Sequence, residues 1–350
     1  MSTNPITVIV VDDSALMRQI LTEMLNGADD IKVIASAPDP IVARELIKQH
    51  SPNVVTLDVE MPKMDGIVFL ERIMTLRPMP VIMVSSLTSQ GAESTLRALE
   101  LGAVDYVTKP STDLQKGMQG LAEELRAKVR IAAKAKLRPY VIQARQTYVK
   151  NDVAIVPTTP IDKIIAIGAS TGGVEAITEV LSGMPAGSPP IIITQHMPEK
   201  FTASFAQRLN SVTPLRVSEA KDAERLLPGH AYIAPGGFHL ELGKTAGNYF
   251  CKIHQEAAVS GHRPSVDVLF RSVAKVAGRQ AMGVILTGMG KDGAEGLLAM
   301  RKAGAQTMGQ DESTCVVYGM PKAAFDLGAV ETQVSLKDIN KQLIKLLNIG

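Results

Sequence analysis

The segment that decides the fold of the first third of this chain is Val54-Val55-Thr56-Leu57-Asp58-Val59-Glu60-Met61-Pro62. Its apolar, β-branched start predicts a buried strand that ends on the carboxylate of Asp58. Four similar runs lie between residue 6 and about residue 125, and segments of helical periodicity separate them. The five strand candidates are Ile6–Val11, Val33–Ala37, Val54–Asp58, Val81–Ser86 and Val104–Thr108. Strands that alternate with helices in this way predict a doubly wound, parallel α/β sheet.

Polar side chains stand at the ends of four of these strands. They are Asp12 and Asp13 after the first, Asp58 in the third, Ser85 in the fourth and Lys109 after the fifth. Right-handed crossovers bring the carboxyl ends of parallel strands to one edge, so we expect these side chains to meet. Neighbouring carboxylates need a compensating cation, and Mg²⁺ prefers oxygen ligands. The cluster predicts phosphoryl transfer to Asp58, with Mg²⁺ and Lys109 neutralising charge and Ser85 binding the phosphoryl oxygens.

Composition excludes several classes of protein. The chain has 350 residues, is 45% hydrophobic and 21% charged, and carries a net charge of +2, so charge gives no reason to expect nucleic-acid binding. Cys251 and Cys315 lack metal-ligand spacing and suit a reducing compartment. No signal peptide follows Met1, and no apolar stretch approaches the roughly 20 residues of a membrane span. We therefore expect a cytoplasmic protein that does not insert into membranes.

A second alternation of strands and helices begins at Lys163. Its strand candidates are Ile164–Ile167, Ile191–Thr194, Leu215–Val217, Tyr232–Ala234 and Val284–Leu286. Its helix candidates are Gly173–Leu181, Lys200–Leu209, Val266–Ala277, Ala294–Arg301 and Lys337–Leu347. Pro235-Gly236-Gly237 and Gly243 are typical of β-hairpin turns inserted into such a domain. A second doubly wound, mostly parallel sheet with a hairpin insertion is the prediction.

The domain boundaries follow from these two alternating regions. We predict an N-terminal domain over residues 1–125, a linker over 126–158 and a C-terminal domain over 159–350. The linker is identified by Pro139 and Pro157 and by the loss of clear periodicity. Its basic residues suit either a solvated tether or a partner-binding segment.

The second domain opens with a possible nucleophile. Gly168-Ala169-Ser170-Thr171-Gly172 matches the pattern G-x-S-x-G, in which small neighbours allow a sharp strand-to-helix turn that exposes a serine hydroxyl. Such a turn is also typical of a phosphate cradle or of a plain tight turn. The Walker pattern and the G-x-G-x-x-G spacing are both absent here.

A serine nucleophile needs a base and an acid that orients the base. His196 follows the next parallel strand, and Asp292 follows another strand within a glycine-rich turn, so both can lie beside Ser170. The order Ser, His, Asp differs from that of α/β-hydrolases. His262 is the best rival base, because it precedes a helix and can border the cleft. No pair of histidines at helical spacing and no Cys/His cluster indicates a metal in this domain.

Residues 5 to 125 resemble a response-regulator receiver domain, whose fold is flavodoxin-like. The resemblance implies that Asp58 is the phosphoacceptor and that Asp12 and Asp13 complete the Mg²⁺ pocket. It also implies a histidine kinase as the source of phosphate. The switch residues that it implies are Ser85, Lys109 and Tyr106. Receiver domains often have Thr where this chain has Ser85, a change that keeps the hydroxyl.

Nearly the whole chain resembles the family of chemotaxis response-regulator protein-glutamate methylesterases. The motifs that carry the resemblance are Gly168-Ala169-Ser170-Thr171-Gly172-Gly173, Gln195-His196-Met197, Ala234-Pro235-Gly236-Gly237 and Gly288-Met289-Gly290-Lys291-Asp292-Gly293. The resemblance implies a catalytic triad of Ser170, His196 and Asp292, with Thr171 and Met289 at the oxyanion hole. It implies glutamate γ-methyl esters on chemoreceptors as substrates, glutamine deamidation as a further activity, and no cofactor for the esterase. We expect a monomer.

Two other functions stay open at this point. A transcriptional response regulator would need a helix-turn-helix and a basic face, which the sequence does not indicate. A non-catalytic adaptor that binds receptors would not need the set of Ser170, His196 and Asp292.

Overall fold

A computed structural model describes residues 4–61, 65–86, 88–109, 114–137 and 163–348. The chain divides into two compact units, Met1–Ile142 and Gln143–Gly350. Within the described residues, no helix is long and apolar enough to cross a membrane. Most of the predicted linker, from residue 138 onward, lies outside the described residues, so the proposed domain boundaries stay predictions.

The first unit is a five-stranded parallel sheet with helices between its strands. Its elements are β1 (Ile6–Val11), α1 (Ala15–Asn26), β2 (Ile31–Ala37), α2 (Pro40–His50), β3 (Val54–Asp58), α3 (Gly66–Leu76), β4 (Val81–Ser85), α4 (Ser89–Glu100), β5 (Asp105–Thr108) and α5 (Leu114–Ala132). The strand order is β2-β1-β3-β4-β5, and every pair is parallel. The predicted fold class is confirmed for this unit.

Burial and helix caps explain why these segments adopt their structures. Every residue of β3 and β4 is buried, as expected for central strands covered by helices on both faces. Three helices begin directly after an Asp or Ser whose side chain accepts a backbone N–H of the first turn. These capping residues are Ser14 for α1, Asp39 for α2 and Asp65 for α3. The sheet therefore presents the carboxyl ends of β1, β3, β4 and β5 at one edge.

The second unit is built on a seven-stranded parallel sheet. Its elements are β6 (Ile164–Ala169), α6 (Gly173–Ser182), β7 (Ile191–Gln195), α7 (Phe201–Val212), β8 (Arg216–Glu219), β9 (His230–Ile233), β10 (His239–Thr245), β11 (Asn248–His254), α8 (Val266–Val276), β12 (Ala281–Ile285), α9 (Ala294–Lys302), β13 (Gln306–Gln310), α10 (Met320–Asp326), β14 (Thr332–Val334) and α11 (Leu336–Leu347). The strand order is β14-β13-β12-β6-β7-β9-β8. Strands β10 and β11 form a separate antiparallel hairpin. The predicted mostly parallel sheet with a hairpin insertion is confirmed.

Two features of the second unit differ from the sequence-based expectation. Strands β13 and β14 and helix α10 were not predicted, because Gln306–Gln310 is polar and Thr332–Val334 has only three residues. The assignment of Gly243 to a turn was wrong. Gly243 lies inside β10 facing the Phe250 ring, and the hairpin turns at Ala246-Gly247, where both residues have positive φ.

Strand β6 and helix α8 pack against each other at a glycine. A Cβ on Gly168 would lie 2.2 Å from Cγ1 of Val266, which is fully buried. The missing side chain therefore lets the first turn of α8 approach the end of β6. This contact holds the start of α8 next to the turn that follows β6.

We predict that Gly168→Ala lowers the free energy of unfolding of the second unit by about 1–3 kcal/mol, since the added methyl group overpacks a rigid contact. Urea unfolding of the full-length chain measures this loss. Gly187→Ala is the matched control, because a Cβ there meets nothing within 4 Å. Equal midpoints for the two variants would contradict the packing argument.

Candidate functional site

The first unit brings its predicted acidic residues together. Asp12 and Asp13 follow β1, Asp58 ends β3, and one carboxylate oxygen from each lies within 4.8 Å of the others. Asp12 and Asp58 are buried, whereas Asp13 is exposed. Lys109 Nζ lies 2.7 Å from Asp58 Oδ2 and 3.1 Å from Asp12 Oδ2. The strand ends thus assemble three carboxylates and one ammonium group in a single pocket.

Burial dominates the electrostatics of Asp58. Removal from water raises the pKa of its carboxyl group to about 6, and the negative charge of Asp12 adds to this effect. The hydrogen bond and charge of Lys109 act in the opposite direction and reduce the rise. Burial also opposes the charge on Lys109, but its two carboxylate partners outweigh burial and raise the pKa of the lysine. The folded state therefore disfavours the ionised form of Asp58 unless a further cation binds, and we call this carboxylate a strained anion.

The three carboxylates suit a divalent cation bound by oxygen. Asp12 Oδ2 and Asp58 Oδ2 are both buried and share the single Lys109 ammonium. One cationic group cannot compensate two buried carboxylates, and coordination of a divalent cation would remove the cost of the remaining negative charge. Mg²⁺ binds one or two carboxylates and keeps several waters, so Asp12, Asp13 and Asp58 fit this ion.

The predicted switch residues lie in the neighbouring strands β4 and β5 or directly after them. Ser85 is buried at the end of β4, and its hydroxyl lies within hydrogen-bond distance of the Gly91 and Ser86 carbonyl oxygens rather than of a carboxylate. Tyr106 is buried in β5, and burial raises the pKa of its phenol well above the usual value. Lys128 Nζ lies 5.0 Å from the centroid of the Tyr106 ring and donates to the Tyr106 carbonyl. Lys109 contacts two carboxylates of the acidic pocket directly.

The second unit places Ser170 in the turn between β6 and α6. Strand β6 ends at Ala169, and Gly172, with φ of 77°, precedes the first residue of α6. The Ser170 backbone N–H donates to the Thr287 carbonyl at 3.1 Å. A Cβ on Gly288 would lie only 2.8 Å from the Ser170 Cβ, so the turn after β12 passes directly over the serine.

His196 lies beside this turn at the end of the neighbouring strand. Its backbone N–H donates to the Ala169 carbonyl at 3.2 Å, and the Gln195 side-chain amide donates to the Ser170 carbonyl at 3.0 Å. Its Nε2 lies 2.8 Å from Asp292 Oδ2. Its Nδ1 is buried and has no hydrogen-bond partner among the described residues. The ring thus has one nitrogen bound to a carboxylate and one available nitrogen.

Asp292 is held by the beginning of helix α8. Its carboxylate accepts from the Ser265 hydroxyl at 2.8 Å, from the Val266 N–H at 2.7 Å and from the Asp267 N–H at 3.2 Å. Burial opposes ionisation of Asp292, but the bond to His196 and these helix donors outweigh burial and lower its pKa. The positive end of the α8 dipole acts in the same direction.

Ser265 has two roles at the start of α8. It is the N-cap of the helix, and its side chain accepts the Val268 N–H. Its hydroxyl also donates to Asp292, which links the helix cap to the carboxylate. His239 Nδ1 accepts the Ser265 backbone N–H at 3.3 Å, and His239 Nε2 lies 3.1 Å from the Ala257 carbonyl. No spacing in the sequence relates His239 or Ser265 to Asp292.

Thr287 joins the loops that carry Thr171 and Met289. The fully buried Thr287 hydroxyl lies 3.0 Å from the Thr171 carbonyl and accepts the Val317 N–H at 3.0 Å. Gln310 Oε1 in β13 accepts the Thr287 N–H at 2.8 Å. Neither Thr287 nor Gln310 was predicted as a site residue, because Gln310 lies in the unpredicted strand β13 and Thr287 contacts Thr171, which is 116 positions away in the chain. Thr171 is buried, whereas 42% of Met289 is exposed at the surface.

Comparison with known proteins identifies both units. Residues 165–343 match the family model described as CheB methylesterase, and residues 8–119 match the response regulator receiver domain. The chain belongs to the CheB methylesterase family. It is therefore an enzyme of that family with an N-terminal receiver domain, and the resemblance drawn from the motifs is confirmed.

Individual relatives agree with this assignment. Proteins of Salmonella typhimurium strain LT2 and Escherichia coli strain K12 are each 56% identical to the chain over 345 residues, which covers 99% of the chain and 98% of each relative. Both are named protein-glutamate methylesterase/protein-glutamine glutaminase. The crystal structure of the Thermotoga maritima CheB methylesterase catalytic domain is 39% identical, with a TM-score of 0.52, and covers 53% of this chain and 98% of that chain.

The raised pKa of Asp58 predicts a pH-dependent gain in stability for Asp58→Asn. Because the folded-state pKa of about 6 exceeds the ordinary value of 3.8, ionisation of Asp58 destabilises the folded state above pH 6 and has no effect below about pH 4. Without Mg²⁺, we expect the variant to be more stable by about 1–3 kcal/mol at pH 8 and unchanged at pH 4. Hydrogen-exchange protection of β3 and β4 in the full-length chain measures this difference in stability at each pH.

The control for this experiment is Asp29→Asn, which replaces an exposed carboxylate outside the pocket. It should leave protection unchanged at both pH values. Equal protection of wild type and Asp58→Asn at pH 8 would refute the strained-anion description.

Proposed function

We propose that this chain is a phosphorylation-activated hydrolase that removes methyl groups from glutamate γ-methyl esters of chemoreceptors and deamidates receptor glutamines. The observation that carries the proposal is the pairing of His196 with Asp292 beside the Ser170 turn. It occurs in a chain 56% identical to proteins named protein-glutamate methylesterase/protein-glutamine glutaminase. The substrate sites would lie on cytoplasmic helices of the receptors, and the enzyme would act in the cytoplasm.

The hydrogen bonds of His196 support its role as the general base. An ionised Asp292 can only accept, so the proton of a neutral imidazole lies on Nε2 and the lone pair lies on Nδ1. Nδ1 is the nitrogen that has no partner, so it is free to take the proton of Ser170. Asp292 then stabilises the imidazolium that forms when the serine attacks.

The chemistry proceeds through a glutamyl-enzyme. Ser170 Oγ bonds to the ester carbonyl carbon as His196 Nδ1 takes the hydroxyl proton. His196 returns that proton to the leaving methoxide, and methanol departs. Water, activated by the same nitrogen, then releases the glutamate. With a glutamine substrate the leaving group is ammonia, and the other steps are the same.

Backbone amides near Thr171 and Met289 are the proposed oxyanion donors. The Ser170 N–H cannot serve, since it already donates to the Thr287 carbonyl. Thr287 ties the Thr171 carbonyl to the start of the loop that carries Met289. Donors held rigidly in this way stabilise developing charge without reorganising during the reaction.

We assign regulation to the receiver. Asp58 accepts a phosphoryl group from a histidine kinase, and Asp12, Asp13 and Asp58 hold Mg²⁺, which would neutralise charge on the transferring group. Lys109 binds the phosphoryl oxygens, while Ser85 and Tyr106 respond to them. Ser85 must then exchange its bonds to the Gly91 and Ser86 carbonyl oxygens. The coupling needed to activate the esterase is of the usual allosteric size, about 1–3 kcal/mol.

Ser170→Ala should abolish hydrolysis while the protein stays folded, because the nucleophile is lost but no packing group is removed. We expect a fall of at least about 10³-fold in methanol release from a methyl-labelled receptor. Ser211→Ala, at an exposed position on α7, is the control and should retain full activity. An undiminished rate in Ser170→Ala would show that another group is the nucleophile.

Asp58→Asn should separate regulation from chemistry. Basal methanol release should match wild type, because Asp58 takes no part in ester hydrolysis, whereas the stimulation by acetyl phosphate should disappear. Asp29→Asn should keep both the basal rate and the stimulation. Retained stimulation in Asp58→Asn would place the phosphoacceptor elsewhere.

A further inference from the structure

His262 has no role in the chemistry proposed above, yet its ring lies directly against the ring of His196. The two imidazole centroids are 3.7 Å apart, and the ring planes differ by only 10°. This is a parallel stack at van der Waals distance, which covers one face of the His196 imidazole. Contact of this kind restricts ring rotation without using either nitrogen of His196.

A tight turn at Ser260 and Gly261 places His262 in this position. Ser260 and Gly261 have φ of 54° and 80°, the pair of left-handed residues typical of a two-residue type I′ turn. The Val259 N–H donates to the His262 carbonyl at 3.1 Å, and the His262 N–H donates to the Val259 carbonyl at 2.9 Å. These two reciprocal bonds close the turn and fix the backbone of His262.

The segment after His262 is anchored as well. The Arg263 carbonyl accepts the Gly237 N–H at 3.1 Å, and the Arg263 guanidinium donates to the carbonyls of Gln255 and Glu256. Two residues later, Ser265 caps α8 and binds Asp292. One short stretch of chain therefore supplies both the ring that stacks on His196 and the hydroxyl that orients its acid.

The hydrogen bond between His196 and Asp292 leaves one motion of the His196 ring unrestrained, and the stacked ring of His262 restrains it. Asp292 holds Nε2, but a single hydrogen bond permits the ring to tilt about the axis through that bond. Such a tilt would displace Nδ1, the nitrogen that has no hydrogen-bond partner. We propose that His262 is a positioning residue, whose flat ring keeps the His196 imidazole in the orientation where Nε2 faces Asp292 and Nδ1 is available to Ser170. This inference rests on the proposed function.

The test compares an aromatic and a small replacement of His262. In the full-length chain, His262→Ala should lower kcat for methanol release from a methyl-labelled receptor by about 10- to 100-fold, with KM within about twofold of wild type, because small displacements of catalytic groups are costly. His262→Phe keeps a flat ring without a titratable nitrogen, and it should restore kcat to within about threefold of wild type. His230→Ala, a histidine of the same unit that does not stack on His196, should leave both constants unchanged.

Each outcome decides the proposal. If His262→Phe is as impaired as His262→Ala, the imidazole takes part in proton transfer or binding, and positioning by stacking is wrong. If His262→Ala has the wild-type kcat, or if only KM changes, the stack does not position His196. If His262→Ala fails to fold, the kcat of His262→Phe still decides, since a folded but inactive aromatic variant would overturn the proposal.

A second readout separates this proposal from the proposed function. Carbon-13 relaxation of the imidazole C–H groups reports how much the His196 ring moves, without any substrate. The His196 ring should be as rigid in His262→Phe as in wild type, whereas in His262→Ala it should show a larger amplitude of motion. A protein that releases no methanol but shows this pattern would refute the esterase proposal and leave the positioning role intact. Equal ring motion in all three proteins would overturn the positioning role.

Discussion

The candidate site of the second unit depends on one set of hydrogen bonds, which the beginning of α8 donates to the Asp292 carboxylate. Ser265, Val266 and Asp267 supply three donors, and the helix dipole adds a favourable field. The carboxylate stays ionised despite burial, so it can fix the proton of His196 on Nε2. Gly168 permits the close approach of α8 that these hydrogen bonds need. These contacts leave Nδ1 of His196 as the nitrogen without a hydrogen-bond partner among the described residues.

The surroundings of a buried carboxylate shift its pKa in opposite directions in the two units. Asp292 is surrounded by donors and its pKa is lowered, whereas Asp58 meets another carboxylate and a single ammonium and its pKa rises to about 6. Satisfied donors make Asp292 a stable anion, which suits an acid that orients a base throughout a catalytic cycle. Asp58 and Asp12 share one ammonium group, so a bound cation would stabilise the ionised form of Asp58. The same type of residue is therefore a well-compensated anion in one unit and a poorly compensated one in the other.

Much of this architecture was predictable from short patterns. The first sheet was predicted strand by strand, because buried parallel strands are nearly continuous apolar runs. Strands β13 and β14 escaped prediction because they are polar or short and are defined by their neighbours in the sheet. Gln310 in β13 accepts the Thr287 N–H, so sequence patterns could not predict this hydrogen bond near the Ser170 turn.

The sequence by itself determined the chemistry that is available: a serine in a sharp turn, a histidine and an aspartate after parallel strands, and three acids with a lysine at another sheet edge. These follow from local rules, since strand direction and turn residues act over a few positions. The tertiary structure decided which nitrogen of His196 is bound and which is available, and it placed His262 on the His196 ring. Those features depend on contacts between residues some 66 to 96 positions apart, which no local pattern specifies.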